Sequence, residues 1–385
     1  MLTYPALRKD RNKSERMYVA PDHLFQYTHD RDSGLTFLSE KEIEMKTSRK
    51  TVGILWVSAL LILTPALIFA GGKQEAAKPG ALIKVGIVNL PPEESGYRQA
   101  NVEDMNKVFS RANGYDAKQT NTGDNSEQIA AAQGYIRDGV DYLLISAANA
   151  SGWDNVLKSA KSAGVTVFLF DRLIQTDTSN FQAALVSDMK AEGTTAINWV
   201  LSQNLGKPNV ILIRGQLGSA AELGRSAAVL SARDAGKVTI AADGTGGDSW
   251  SLEEARKVVE AAIAAGKDFN VIYAENDGMA QGAVQALDAA GITHGKNGKV
   301  KVLGFDFNRF ALRNVQAGYW DCDIQCSPRQ AAEISGWIKA HLEGAALPGG
   351  IIYQKEVSAD TATITDDIVA NKGINADPGK GVVTK

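Results

Sequence analysis

Three observations predict an α/β protein built from two parallel-sheet domains. Short apolar runs, typical of strands buried on both faces, alternate with longer segments whose apolar residues recur with the helical period. Several of the helical segments are followed by glycine, the usual residue just beyond a helix. The strand-like runs continue in one unbroken rhythm, which fits two similar domains better than one small sheet.

The predicted elements alternate along the chain from residue 82 onward. Strand-like runs span 82–88, 142–145, 165–170, 184–186, 210–213, 238–241, 271–273 and 300–303. Helix-like segments span 97–112, 127–137, 154–163, 191–204, 220–234, 252–265, 279–290, 308–317 and 329–342. We assign residues 82–186 and 327–350 to an N-terminal lobe, 187–326 and 351–366 to a C-terminal lobe, and 367–385 to a tail.

Composition narrows the class of protein. The 385 residues are enough for two domains, and the 44% hydrophobic and 22% charged residues are ordinary for a globular chain. A formal net charge of −3 leaves no basic footprint for nucleic acid. The only cysteines, Cys322 and Cys326, would stand roughly 13 Å apart on an extended chain, too far for a disulfide. We expect two buried thiols, and none of the four histidines forms a metal-like pair.

An apolar stretch at 52–70 carries the features of a secretory signal peptide. A basic segment, 46–50, precedes it, and small and polar residues follow it at 71–75. A transmembrane anchor is the alternative, because about 19 apolar residues could just span a bilayer. Pro65 and the small residues at the exit favour cleavage after Ala70.

The predicted signal peptide divides residues 1–80 into three segments. Met45 opens a normal start for an exported protein, so we assign 45–70 to the signal peptide and 71–80 to a linker. Residues 1–44 are then an upstream extension that is non-native or disordered. No cysteine lies near the exit, which excludes a lipoprotein, and the expected location is the periplasm.

Polar residues cluster where the predicted strands end. The strand at 165–170 runs directly into Asp171 and Arg172, the position at which open α/β sheets bind ligands. Taken alone, this pair fits an ion pair that caps the strand equally well. Similar polar segments follow the other strands, at 91–98, 146–150, 215–219, 247–250, 275–277 and 306–308. If the two sets face one another, the cleft between the domains is the binding site.

Four motifs carry a resemblance to a known family. They are Glu-Ser-Gly-Tyr-Arg at 94–98, Phe-Leu-Phe-Asp-Arg at 168–172, Tyr-Ala-Glu-Asn-Asp-Gly-Met at 273–279 and Gly-Phe-Asp at 304–306. In this order and spacing they resemble the periplasmic sugar-binding proteins of ABC importers, of the ribose- and galactose-binding type. The resemblance covers residues 82–366 and is strongest to the galactofuranose-binding branch, in which a motif like Ser-Gly-Trp at 151–153 opens a helix.

The resemblance implies a fold and a set of partners. It implies two Rossmann-like parallel-sheet domains joined by a hinge, the type I periplasmic binding protein fold. It also implies a non-enzyme with no cofactor and no metal. The expected partners are a monosaccharide, an ABC permease with its ATPase and, as a further possibility, a chemoreceptor. The protein is expected to be a monomer that does not bind nucleic acid.

The resemblance also implies the ligand-binding residues. They are Glu94, Tyr97, Arg98, Asp171, Arg172, Arg225, Trp250, Asn276, Asp306 and Gln325. Charged side chains would make the stronger hydrogen bonds to sugar hydroxyls, and the aromatic rings would pack on its C–H faces. Tyr97 stands where the branch has Trp, and Trp250 is offset by one residue from the family's aromatic position. Structural alternatives are a Tyr97 ring packed on the sheet and a solvated Arg225.

Four alternative functions are compatible with these residues to different degrees. The first is a receptor that captures a monosaccharide and delivers it to an ABC sugar importer. The second is a sugar sensor that serves chemotaxis or a signalling partner without transport. A sugar-responsive repressor lacks support, because no basic helix-turn-helix precedes residue 82. A glycosidase would use Glu94 and Asp171 as its carboxylate pair, but no catalytic loop is inserted.

Overall fold

The computed structural model describes residues 81–247, 249–377 and 379, and four short strands nearer the N-terminus. Those strands form two antiparallel pairs, Val19–Ala20 with His23–Leu24 and Tyr27–Asp30 with Gly34–Phe37. The predicted signal peptide, 45–70, and the linker, 71–80, lie outside the described residues. No helix within the described residues is long and apolar enough to cross a membrane.

The elements of residues 81–379 are named here in chain order. The strands are β1 Ile83–Asn89, β2 Tyr115–Asn121, β3 Tyr142–Ile145, β4 Thr166–Asp171, β5 Ala183–Val186, β6 Asn209–Arg214, β7 Thr239–Thr245, β8 Val271–Ala274, β9 Lys301–Phe305, β10 Cys322–Ile324, β11 Gly350–Tyr353 and β12 Ser358–Asp360. The helices are α1 Gly96–Val108, α2 Asn125–Arg137, α3 Asp154–Ser162, α4 Met189–Ser202, α5 Ala220–Asp234, α6 Leu252–Ala264, α7 Asp277–Ala289, α8 Arg309–Gln316 and α9 Ala331–Leu342.

These strands form two sheets of related topology. The N-terminal lobe has the order β2-β1-β3-β4-β5-β11 with every pair parallel. The C-terminal lobe has the order β7-β6-β8-β9-β10-β12, in which only β12 runs antiparallel to its neighbour. In both, the first strand lies between the second and third, and this reversal opens a crevice at the carboxyl ends of the strands. The predicted fold class, two parallel-sheet α/β domains, is confirmed.

Alternating side chains place helices on both faces of each sheet. In β3, Leu143 and Ile145 pack with residues of α2 and α3, whereas Tyr142 and Leu144 pack with α1 and α9. The C-terminal lobe is layered in the same way, with α6, α7 and α8 on one face of its sheet and α4 and α5 on the other. Strands covered on both faces have continuous apolar sequences, so their positions could be predicted from the sequence.

Four of the strands do not carry that signal and were not predicted. Their sequences are YDAKQTN in β2, CDI in β10, GIIY in β11 and SAD in β12. The strands β2, β11 and β12 lie at sheet edges, where the burial that produces an apolar run is missing. β10 is buried but only three residues long and contains a charged residue.

Two of the predicted domain boundaries differ from those in the structure. The strand β11 pairs with β5, so residues 351–353 belong to the N-terminal lobe and not, as predicted, to the C-terminal one. The predicted tail, 367–385, is also wrong at its start. Val369 and Ile374 are buried against the C-terminal lobe, and Arg309 donates to the Val369 carbonyl at 3.1 Å.

The chain crosses between the lobes in three segments, which we call the crossing segments: 187–188, 325–330 and 354–357. They are bonded to one another at one point. Glu356 Oε1 accepts a hydrogen bond from Ser187 Oγ at 2.6 Å and another from the Ser327 amide at 2.6 Å. Cys326 Sγ lies 3.4 Å from Ser187 Oγ. Cys326 and Cys322 are both free and buried, as the sequence predicts.

Tight packing of α2 on the first sheet generates a stability prediction. A Cβ atom at Gly86 in β1 would lie 2.6 Å from Cγ of the buried Tyr135 ring. We expect Gly86→Ala to lower the free energy of unfolding by about 1–3 kcal/mol, because the ring must move. Gly134→Ala on the same helix meets no atom closer than 3.9 Å and should raise it by about 0.5–1 kcal/mol. Urea unfolding of both variants measures the difference, and equal effects would contradict this packing.

Candidate functional site

A cavity lies between the lobes, where the carboxyl ends of both sets of strands meet. Its empty volume is about 270 Å³, including the part open to solvent. Its lining residues come from both lobes and are Glu94, Ser95, Tyr97, Asp171, Arg172, Met189, Ala221, Arg225, Trp250, Asn276, Asp306 and Cys326. Eight of the ten residues predicted from the sequence are among them.

Asp171 is the centre of the wall formed by the N-terminal lobe. It is 1% exposed at the end of β4 and accepts hydrogen bonds from Tyr97 at 2.7 Å, Arg98 at 2.6 Å and Ser146 at 2.7 Å. Burial alone would raise the pKa of Asp171. The charges of Arg98 and Arg172 outweigh burial, and the pKa of Asp171 falls below its usual value. This carboxylate is therefore charged and held in one orientation.

Arg98 supports this wall from behind and does not line the cavity. Its guanidinium is fully buried and donates to Glu94 Oε2 at 3.0 Å and to Asn89 Oδ1 at 2.9 Å, in addition to Asp171. The prediction that Arg98 contacts the ligand therefore does not fit this geometry.

Arg172 is the guanidinium that this wall presents to the cavity. It donates to Glu94 Oε1 at 3.2 Å, and its Nε atom is buried without a hydrogen-bond partner among the described residues. Across the cavity its charged group lies 5.9 Å from the centre of the Trp250 ring. An arginine with a spare donor beside an aromatic face suits a ligand that has both hydroxyls and apolar C–H groups.

Arg225 organises the opposite wall. It is 2% exposed, which excludes the solvated alternative, and it donates to Glu192 Oε2 at 2.7 Å and to Asp306 Oδ1 at 3.4 Å. It also donates to the backbone carbonyl of Glu275. Burial raises the pKa of Asp306 well above its usual value, although Arg225 opposes the shift.

Trp250 and Asn276 complete the wall of the C-terminal lobe. The Trp250 ring covers Gly215 so closely that a Cβ atom there would lie 2.0 Å from Cζ3. The indole Nε1 is buried with no hydrogen-bond partner in the described part of the chain, so a donor is available. Asn276 caps α7, and its Oδ1 accepts from the Met279 amide at 2.7 Å. Capping leaves the Asn276 amide nitrogen for another acceptor.

Three cavity residues have strained backbones. The φ angles are 66° at Asp171, 51° at Trp250 and 107° at Asp306, in the left-handed region that side chains other than glycine rarely adopt. Such strain persists only where surrounding structure imposes it, and it concentrates at functional sites. All three residues line this cavity, which supports its assignment as the candidate functional site.

The lobes touch each other on both sides of the cavity. The Ala150 amide donates to the Gly218 carbonyl at 3.3 Å. On the other side, Asn375 Nδ2 donates to the Gly96 carbonyl at 3.0 Å and also contacts Asn308. Both contacts join the lobes directly, in addition to the crossing segments.

The structure also corrects Gln325 and adds residues that the sequence did not reveal. Gln325 lies on a crossing segment, where its Oε1 accepts from the Val357 amide at 3.2 Å, and it does not line the cavity. The unpredicted lining residues are Ser95, Met189, Ala221 and Cys326. Apart from Ser95, they carry no strongly polar group, so only the positions of helix starts and crossing segments could have indicated them.

Buried Glu275 beside this wall generates a pH prediction. Burial raises its pKa to about 8, although Ser226 Oγ and the Gly215 amide donate to it. Between about pH 4.5 and 8 the folded state then binds more protons than the unfolded state. This contribution to stability is full below about pH 4.5 and is lost as the pH rises through 8.

We expect Glu275→Gln to remove this part of the pH dependence, because glutamine stays neutral and can bond to both partners. Relative to the variant, the wild-type free energy of unfolding should fall with increasing pH by up to about 1.4 kcal/mol per pH unit. Urea unfolding between pH 5 and 9 measures the slopes, with Glu103→Gln on the exposed face of α1 as the control. Parallel curves for wild type and Glu275→Gln would contradict the expectation.

Known proteins share this architecture and sequence. The model of the periplasmic binding protein domain matches residues 85–346. The galactofuranose-binding protein YtfQ of Escherichia coli is 32% identical over 82% of this chain and 98% of its own length. The fructose import binding protein FruE of Bifidobacterium longum is 28% identical over 83% of this chain and 95% of its own.

A solved structure agrees with these relatives. A Mycobacterium smegmatis protein in complex with β-D-fucofuranose superimposes with a TM-score of 0.68 and 26% identity, over 75% of this chain and 95% of that one. The family and the non-enzymatic class predicted from the sequence are therefore confirmed. The chain belongs to the periplasmic binding protein family, whose members bind solutes between two lobes.

Proposed function

We propose that this protein is a periplasmic receptor that captures a monosaccharide in its interlobe cavity and delivers it to an ABC sugar importer. One observation carries the proposal: an interlobe cavity that Asp171 and Arg172 line from one lobe and Arg225 and Asp306 from the other, with an aromatic ring on each wall. The names of YtfQ and FruE, a sugar-binding protein and a sugar importer component, support it.

The chemistry of the cavity matches a sugar better than other small solutes. A sugar hydroxyl donates and accepts, so it can bond to a carboxylate and a guanidinium together, and hydrogen bonds to charged groups are worth about 1.5–3 kcal/mol each. The rings of Tyr97 and Trp250 offer apolar area to C–H faces. Because the protein charges are already paired with each other, an uncharged polyol completes the network without leaving a buried charge.

The relatives narrow the ligand further. One relative is named for galactofuranose, and one solved neighbour holds fucofuranose. We therefore propose a pentose or hexose, with furanose rings to be tested beside pyranose rings.

The proposal extends to the partners. Closure of the lobes around the sugar is the signal that a membrane partner reads, and the expected partners are an ABC permease and its ATPase acting on a monomer of this chain. A sensor that passes the signal to a chemoreceptor without transport is the alternative. Sugar uptake by cells lacking the protein separates the two, since a pure sensor leaves uptake unchanged.

Arg172 provides the test of the binding site. We expect Arg172→Ala to weaken binding of the preferred sugar by at least about 100-fold, because two or more charge-assisted hydrogen bonds are lost. Stability should change little, since Glu94 and Asp171 remain paired with Arg98. Calorimetric titration against pentoses and hexoses measures the affinity.

The matched control is Arg256→Ala. Arg256 is a partly exposed arginine of α6 that pairs with Glu253 and Glu260. This variant should bind like the wild type. Undiminished affinity in Arg172→Ala would remove Arg172 from the site. Absence of binding to every sugar in the wild type would refute the receptor itself.

The route to the periplasm is also part of the proposal. We propose synthesis from Met45 and cleavage after Ala70, without a lipid anchor, which follows from the segment at 52–70. Mass spectrometry should then find a precursor that begins at Met45 and a periplasmic form that begins at Gly71. A precursor that retains residues before Met45, or a mature form that keeps the apolar segment, would contradict it.

A further inference from the structure

We infer that the crossing segments form a binding site for one thiophilic divalent cation, such as Zn²⁺, with Glu192, Cys326 and Glu356 as its ligands. A carboxylate oxygen of each glutamate and the Cys326 sulfur all lie within 4.8 Å of one another. Glu192 and Cys326 are 4% and 2% exposed, and Glu356 is half-buried. The site adjoins the wall of the C-terminal lobe, because Glu192 is bonded to Arg225 and Cys326 borders the cavity.

The three ligands come from three separate passages of the chain between the lobes. Glu192 lies in the first turn of α4, directly after the crossing segment 187–188. Cys326 and Glu356 lie within the other two crossing segments, 325–330 and 354–357. A cation bound here would therefore join all three connections through one atom, as Glu356 Oε1 already does through its hydrogen bonds with Ser187 and Ser327.

A second observation points to a missing ligand at this place. Glu192 Oε1 is buried and has no assigned hydrogen-bond donor among the described residues, whereas Oε2 accepts from Arg225 at 2.7 Å. The other groups that interact with the Glu192 carboxyl group are Cys326 and Glu356, the two remaining ligands of the proposed site. A buried carboxylate oxygen without a donor is costly. Coordination of a cation would satisfy it.

The donor set selects the kind of cation. A thiolate with two carboxylates suits Zn²⁺ or Cd²⁺, while Mg²⁺ and Ca²⁺ prefer oxygen ligands alone. With Zn–S near 2.3 Å and Zn–O near 2.0–2.2 Å, tetrahedral ligands stand roughly 3.5 Å apart, so small side-chain movements suffice. The fourth position is open to a water from the cavity or to Ser187 Oγ, which lies 2.6 Å from Glu356 Oε1 and 3.4 Å from Cys326 Sγ.

The charges balance when the cation is bound. The cation and Arg225 bring three positive charges, and the two carboxylates and the thiolate bring three negative ones. Binding forms three metal–ligand bonds and releases to solvent the protons that the ligands carry in the free protein, with no oxidant or reductant involved.

The two cysteines of the chain supply the experiment. The reduced mature protein is titrated with Cd²⁺ and with Zn²⁺ by calorimetry, and the thiolate-to-Cd²⁺ charge-transfer absorption is recorded in parallel. We expect one Cd²⁺ per protein, with thiolate absorption and a raised midpoint of thermal unfolding. Cys326→Ser should lose the absorption and weaken binding by about tenfold or more, because a ligand is removed. Cys322→Ser, which alters the buried cysteine of β10, should keep both.

A second variant protects the test against a folding defect. Glu356→Gln keeps the size of the side chain and an acceptor for the Ser187 and Ser327 donors, and it should also weaken Cd²⁺ binding by about tenfold or more. Circular dichroism and thermal unfolding without metal confirm that each variant is folded. Failure of the wild type to bind either cation, or binding that survives both Cys326→Ser and Glu356→Gln, would overturn the inference. Loss of the absorption in Cys322→Ser instead would do the same.

Discussion

The candidate site depends on the buried ion pair between Arg98 and Asp171, which are joined at 2.6 Å. Removing two charges from water is costly unless further hydrogen bonds satisfy them. Here Glu94, Tyr97 and Ser146 supply those bonds. The pair fixes the end of β4 against α1, so the Asp171 carboxylate is held in one orientation at the cavity. Arg98 never reaches the cavity, yet it decides the charge and direction of the group that does.

The C-terminal lobe solves the same problem with different residues. Arg225 is its buried cation, and Glu192 and Asp306 are the acids around it. Because Glu192 stands between Arg225 and the crossing segments, the wall of the cavity and the hinge share one electrostatic network. Tyr97 provides a matching link in the other lobe, since its hydroxyl also lies 3.3 Å from the Ser327 carbonyl of a crossing segment. The walls of the cavity and the crossing segments are thereby joined through direct contacts.

The positions of most strands and of several cavity residues could be predicted from the sequence. Strands covered on both faces are continuous apolar runs, and parallel strands gather their carboxyl ends at one edge, so Asp171, Asn276 and Asp306 could be brought to one cleft in advance. Edge strands such as β2 give no such signal, and β11 was missed with a lobe boundary as the result. Gln325 was misplaced because the course of a crossing segment follows from long-range pairing of β10 with β12. Met189 and Ala221 have apolar side chains that do not indicate a binding role in the sequence. They line the cavity only because they lie at helix starts.

The contact between Ala150 and Gly218 joins two backbone groups, an amide and a carbonyl. Main-chain groups are unchanged by most substitutions, so this part of the closing surface is insensitive to which side chains line the cavity. The polar and aromatic side chains that line the cavity can therefore change while this contact between the lobes is retained, whereas the contact of Asn375 with the Gly96 carbonyl depends on a side chain.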